Sequence, residues 1–285
     1  MSSEIKDPNR SKQESWQKQI YDARLETYKG EGYPTREGMF SLLLTFREHV
    51  RMLDRMKPES KDVFLDIGCS SGSQLELISS RFGCQGVGID ISSSAIEWAT
   101  KRDRFGNKFL EGSAERRLPF ADGSYDCVTC FDVIEHLENP TLALQEIFRV
   151  LRPGGRALFH IPVSDIRGSM DWICWTFQPL KWEKFVLAAG HDYTKIRTRV
   201  GYENLISLAG FSVAYSHRYN AFLQNIFDYH MVHRLLNRIF FVWKVPFTLY
   251  HRVVAPIIEA FIFSDRLLQK ANIGASIYIL ARRPG

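Results

Sequence analysis

The sequence predicts an α/β fold, a seven-stranded and mostly parallel sheet with helices on both faces. Three observations carry that expectation. Five short β-rich runs alternate with helical segments between residues 63 and 161. Repeated βα units of this kind place their strands side by side and their helices over both faces. Two further apolar runs, Phe211–Tyr219 and Ser276–Ala281, add the sixth and seventh strands.

Taken in order, residues 1–58 predict an N-terminal helical cap. Met39–Met56 carries Leu42, Leu43, Phe46, Val50 and Leu53 at helical spacing. Residues 59–219 predict the core. Its strands fall at Val63–Ile67, Gln85–Ile89, Lys108–Leu110, Tyr125–Phe131 and Ala157–Ile161. Helices fall at Gln74–Arg81, Ser93–Lys101 and Thr141–Val150, and Arg152-Pro153-Gly154-Gly155 marks the turn into the fifth strand. Residues 220–273 form a long, hydrophobic and basic helical insertion, and 274–285 bring in the last strand of the core.

Hydrophobic residues make up 45% of the 285 positions, enough for a sizeable core. The first sixteen residues are polar and lack an apolar h-region, so a secretory signal is not expected. Five cysteines, an odd number without framework spacing, fit reduced thiols and a cytoplasmic setting. Cys127 and Cys130 resemble a C-x-x-C pair, yet on a strand positions three apart face opposite sides, so inert buried thiols are expected. Charge is uneven. Residues 1–150 carry 20 Lys and Arg against 24 Asp and Glu, and the remainder carries 17 against 8. A basic second half suits an acidic partner, an anionic membrane or a solvated face.

Two spaced acidic strand ends supply the first chemical signal. Val63–Ile67 contains Asp66 and runs into a tight turn through Gly68, Cys69, Ser70 and Gly72; glycine permits close backbone approach to a ligand there. Gly86–Ile91 ends a second strand at Asp90, followed by Ile91. An acid about 20 residues beyond the glycine turn is placed to accept both ribose hydroxyls of an adenosine-containing ligand. A nicotinamide fingerprint requires G-x-G-x-x-G, whereas the equivalent positions here are Gly68, Ser70 and Ser73.

The turn resembles the D-x-G-x-G-x-G loop of class I S-adenosylmethionine-dependent methyltransferases, with Asp66, Gly68 and Gly72 matching and Ser70 in the middle glycine's place. The resemblance continues in order through Glu111–Glu115 with Leu118-Pro119-Phe120, Asp122–Asp126, Phe131–Leu137 and Leu144–Gly155, spanning roughly residues 60–215. It implies a Rossmann-like core that binds S-adenosyl-L-methionine through Asp66, Gly68, Cys69, Ser70, Gly72, Asp90, Ile91, Ser113, Ala114 and Phe131. Ser113 stands where the family places an acid against the adenine amino group.

Methyl transfer needs a base only when the acceptor must lose a proton. The histidines open to that role are His136, preferred here, then His160 at the end of the fifth strand and His191. Asp132, Glu135 and His136 have the spacing D-x-x-E-H, which on a helical turn would share a face and could hold Mg²⁺ or Mn²⁺. That arrangement resembles the E-x-x-E-H cluster of ubiquinone-biosynthesis O-methyltransferases.

The acceptor is inferred from segments outside the shared core. Asp171–Phe185 is rich in tryptophan and phenylalanine, suiting either an aromatic lid or a plain hydrophobic cap. Leu235–Phe263 is strongly apolar but broken by Arg238, Lys244, Pro246, Arg252, Pro256 and Glu259, so no segment spans a bilayer. Its mixture suits interfacial helices, a buried layer or a dimer surface. The expected function is methylation of a hydrophobic or lipid-linked acceptor, with O-methylation favoured and peripheral membrane contact through residues 220–273. A soluble small-molecule O- or N-methyltransferase is the alternative. A nucleic-acid methyltransferase or binding module is disfavoured, because the basic residues are interleaved with apolar ones and an N/D-P-P-Y motif is absent.

Overall fold

A computed structural model describes residues 44–188, 192–220, 265, 267, 268 and 270–285. The N-terminal cap is seen only as α1 (Leu44–Met56), and most of the 220–273 insertion and His191 lie outside the described residues. The core follows as β1 (Val63–Ile67), α2 (Ser73–Phe82), β2 (Gln85–Asp90), α3 (Ser93–Arg102), β3 (Lys108–Glu111) and β4 (Tyr125–Phe131). A 3₁₀ turn (Ile134–His136), α4 (Pro140–Val150) and β5 (Leu151–Pro162) complete the alternating part. Then come α5 (Met170–Phe177), α6 (Pro179–Ala188), α7 (Arg199–Leu208), β6 (Ser212–Tyr219) and β7 (Ser276–Arg282).

The seven strands form one sheet in the order β3-β2-β1-β4-β5-β7-β6. Strands β1 to β5 are parallel, and β7 runs antiparallel to both β5 and β6. Chain order reverses between β1 and β4, and a crevice opens at such a switch beyond the strands' carboxyl ends. Because helices cover both faces, the central strands are apolar almost throughout: Phe64, Leu65, Val128, Cys130, Leu158 and Phe159 are buried. Cys127 packs with Phe64 and Leu158 in one layer, while Cys130 packs with Leu65 and Phe159 in the other. Both thiols are pushed up from their ordinary range, chiefly by burial.

Local chemistry sets the helix starts. Ser92 accepts a hydrogen bond from the Ala95 amide at the head of α3, and Asn139 caps α4 with Pro140 in its first position. The fifth strand begins earlier than its pattern suggests. Leu151 already pairs with Tyr125, the next rung joins Arg156 to Cys127, and Arg152–Gly155 bulge out between them. Gly154, with φ of 77°, makes that bulge possible, and the amide of Gly154 donates to the Arg283 carbonyl beyond β7.

Register shows where the insertion is rooted. Pro162 at the carboxyl end of β5 pairs with Ser276, which also pairs with Tyr219 at the end of β6. The segment between β6 and β7 therefore leaves and returns at the carboxyl edge of the parallel strands. Its mouth is stitched shut: the Ala275 amide donates to the Asn220 carbonyl at 3.1 Å. The buried Arg218 donates to Asp165, to the Gly274 carbonyl and to the Asn272 side chain.

Candidate active site at the carboxyl edge

Asp66 and Asp90 stand at the ends of neighbouring strands, and the loop between β1 and α2 is folded around them. Asp90 accepts from the Ser70 amide through one oxygen and from the Ser92 amide through the other, both at 2.8 Å. The Gly68 and Cys69 amides donate to the Ile89 carbonyl, and the Gly112 amide donates to that of Asp90. Five backbone amides thus gather the first, second and third strand ends into one cradle. Ser70 sits at φ of 45°, so a serine takes the left-handed conformation that the family pattern gives to glycine. Gly68, at φ of 74°, lies beneath Val133; a Cβ there would come within 2.2 Å of the valine Cγ2.

Asp66 is buried, and its Oδ1 accepts from the Thr129 hydroxyl at 2.7 Å. Its Oδ2 is buried without a hydrogen-bond partner. Burial pushes the carboxyl up to about 7, Thr129 opposes that shift, and the nearby Asp90 charge reinforces it. A cationic group against Oδ2 would supply the missing partner and restore the ionised form. The ammonium of S-adenosylmethionine is such a group, and the residues present fit it.

The other cofactor candidates lie on the strand ends and loops around this cradle. Ile91 follows Asp90, the Ser113 hydroxyl accepts from the Glu115 amide at 3.3 Å, and Ala114 packs against the core. Cys69 is buried against Gly88, with its thiol pushed far above its usual range by burial. Phe131 turns toward α1, with its ring 4.8 Å from that of His49.

The D-x-x-E-H motif does not form the expected helical face. Asp132 has φ of 54° and lies before the 3₁₀ turn, so the i, i+3, i+4 phase breaks after it. Its Oδ1 meets His160 Nδ1 at 2.9 Å instead. Among the described residues no group of three or more His, Cys, Asp or Glu is placed to share an ion. Glu135 is buried within the turn, and burial followed by the Asp132 charge pushes its carboxyl well above the ordinary range. His136, buried beside it, has Nε2 3.7 Å from Glu135 Oε1.

Sequence reasoning missed the importance of the row that crosses the sheet here. Phe131, His160, Tyr278 and His217 occupy successive paired positions on β4, β5, β7 and β6, so their side chains leave the same face, toward α1. The signal lay in strand register, which only the antiparallel return of β7 sets.

Residues 65–159, spanning β1 through most of β5, match the model of a methyltransferase domain. That matched third of the chain supports a place for its core in the class I S-adenosylmethionine-dependent methyltransferase superfamily. Within it, the chain is 32% identical over 117 residues to O-methyltransferase cnsE of Penicillium expansum, covering 39% of this chain and 42% of that protein. It is 27% identical over 139 residues to the ubiquinone biosynthesis O-methyltransferase of Aliivibrio fischeri, covering 46% and 56%. The chain thus spans about half, or less, of the curated relatives it matches. The solved structure of the [4+2]-cyclase SpnF shares the superfamily fold, with a TM-score of 0.57 at 18% identity over 84% of this chain and 80% of that one.

Proposed function

We propose that the chain transfers the methyl group of S-adenosylmethionine to an oxygen of a hydrophobic or lipid-linked acceptor. The observation that carries the donor assignment is the carboxylate pair at adjoining strand ends: Asp90, fixed by two amides, and Asp66, with a buried oxygen lacking a partner. Asp90 serves the ribose hydroxyls, Asp66 the ammonium, the Gly68–Gly72 loop gives close backbone approach, and Ser113 and Ala114 border the adenine. The sulfonium supplies an already activated methyl, so the protein's work is alignment and exclusion of water.

The acceptor side is supported by what surrounds the carboxyl edge of β5. Helices α5 and α6 follow that strand and expose Trp175, Phe177, Leu180 and Leu187, and α5 buries none of its residues. The insertion is rooted at the same edge. The exposed apolar side chains of α5 and α6 suit an acceptor with an apolar frame. O-Methyltransferases among the relatives favour oxygen as the methylated atom. No helix among the described residues is long and apolar enough to cross a membrane. The basic and aromatic insertion suits contact with the surface of an anionic membrane from the cytoplasmic side.

Because the fold also supports a cyclase, the donor is tested directly. Titration calorimetry should show S-adenosylmethionine and S-adenosylhomocysteine binding at one site. Incubation of methyl-labelled donor with a lipid extract should move label into the organic phase. Absence of donor binding by the folded protein would overturn the proposal.

A further inference from the structure

A strained residue follows β4 beside the donor loop. Asp132 has φ of 54°, a left-handed conformation that glycine adopts freely and an L side chain adopts at a cost. A fold retains such a residue where its surroundings hold it and its geometry serves something. Two contacts with β5 hold Asp132. Its amide donates to the His160 carbonyl at 2.9 Å, and its Oδ1 accepts from His160 Nδ1 at 2.9 Å.

His160 is a rigid partner for that contact. Phe131 of β4, Tyr278 of β7, Tyr219 of β6 and His49 of α1 pack against its ring, with centroids 6.1, 4.6, 5.9 and 5.4 Å away. The His160 side chain is 7% exposed, while that of Asp132 is 48% exposed. Ring packing therefore fixes the imidazole, and the half-exposed carboxylate comes to it. A hydrogen bond to an ionised acceptor is roughly twice as strong as a neutral one, enough to offset the left-handed backbone.

The effect reaches the donor through the next residue. With Asp132 left-handed, the chain turns out of the strand and sets Val133 over Gly68. The valine Cγ2 lies 2.2 Å from where a Gly68 Cβ would be. The amides of Gly68 and Cys69 tie the loop to the Ile89 carbonyl, next to Asp90. Relaxation of Asp132 to negative φ would redirect Val133 and remove one wall of the loop. The donor would then meet a loop only partly in its binding form, and its apparent affinity would fall by that fraction.

We propose that Asp132 and His160 are positioning residues: the pair latches a left-handed turn after β4, so that Val133 holds the donor loop in its binding form. The inference rests on the methyltransferase reading above, which makes the donor the ligand of that loop. It gives the pair no proton transfer and no contact with the methyl group. What the loop requires is one backbone angle at Asp132, and glycine meets that requirement without a latch.

The test measures S-adenosylhomocysteine affinity by calorimetry, in variants shown by circular dichroism to be folded. His160→Phe keeps a packed ring but removes Nδ1–H, and should weaken binding about tenfold. Asp132→Ala should lose a similar factor, whereas Asp132→Gly should stay within about threefold of wild type. His160→Phe combined with Asp132→Gly should return to that same range, while His160→Phe combined with Asp132→Ala should not. Both double variants lack the carboxylate, so only the backbone angle separates them. Should His160→Phe fail to fold, Asp132→Ala against Asp132→Gly decides the matter alone. Equal affinity in those two variants overturns the proposal, as does wild-type affinity in His160→Phe or equal rescue by alanine and glycine. Failure of the wild type to bind S-adenosylhomocysteine is a different result, and overturns the methyltransferase reading itself.

Discussion

If the ammonium of S-adenosylmethionine meets Asp66, donor affinity must depend on pH in a defined direction. With the carboxyl at about 7 in the free protein, roughly 1% is ionised at pH 5 and half at pH 7. The donor's own α-amino group, with an ordinary value near 7.7–8.0, stays cationic throughout that range. Binding that selects the ionised carboxylate should therefore strengthen about 50-fold from pH 5 to pH 7, with proton release on the acid side. The same raised carboxyl affects the free protein with the opposite sign. Its contribution to stability is full below about pH 4, falls as pH rises toward about 7 and is then constant, because the folded state holds a proton that the unfolded chain releases. Calorimetry of donor binding from pH 5 to pH 7, in two buffers of different ionisation enthalpy, reads both affinity and proton release. Asp66→Asn should flatten the profile and weaken binding at pH 7 on the order of tenfold or more, since a charge-assisted contact is lost. A wild-type affinity independent of pH, or an unchanged slope in Asp66→Asn, would refute the reasoning.

Three further predictions concern the cradle and its surroundings. Asp90→Ala removes the group that fixes the Ser70 and Ser92 amides, so donor affinity should fall tenfold or more in a variant shown by circular dichroism to be folded; unchanged affinity would remove Asp90 from the site. Gly68→Ala forces a methyl into Val133 at a backbone angle of 74°, and thermal unfolding should show a loss of about 1–3 kcal/mol, with Val133→Ala in the same chain recovering part of it. The apolar flank is examined by co-sedimentation with anionic vesicles. Wild type should pellet, whereas Trp243→Glu with Phe247→Glu should remain in the supernatant with donor binding intact. Wild type left in the supernatant would favour a buried cap or dimer surface for the insertion.

Composition and spacing alone determined much of this protein. Periodicity placed Val63–Ile67 and Tyr125–Phe131 at their observed bounds, because a strand covered on both faces must be apolar along its whole length. The glycine turn and Asp90 were legible for a similar reason: positive φ and close approach restrict the residue type locally. Other features were not local. The helical spacing of Asp132, Glu135 and His136 suggested a shared face, but the left-handed Asp132 broke the phase and turned its carboxylate to a histidine 28 residues away. Motif placed Phe131 beside the donor, and its contact with His49 of α1 came only from strand pairing. Tertiary structure alone joined Asp132 to His160, Tyr278 and His49, since which side chains share one face of a sheet depends on register between strands far apart in the chain. For the same reason only the antiparallel return of β7 could set the ends of the 220–273 segment at the edge that holds Asp66, Asp90 and His160.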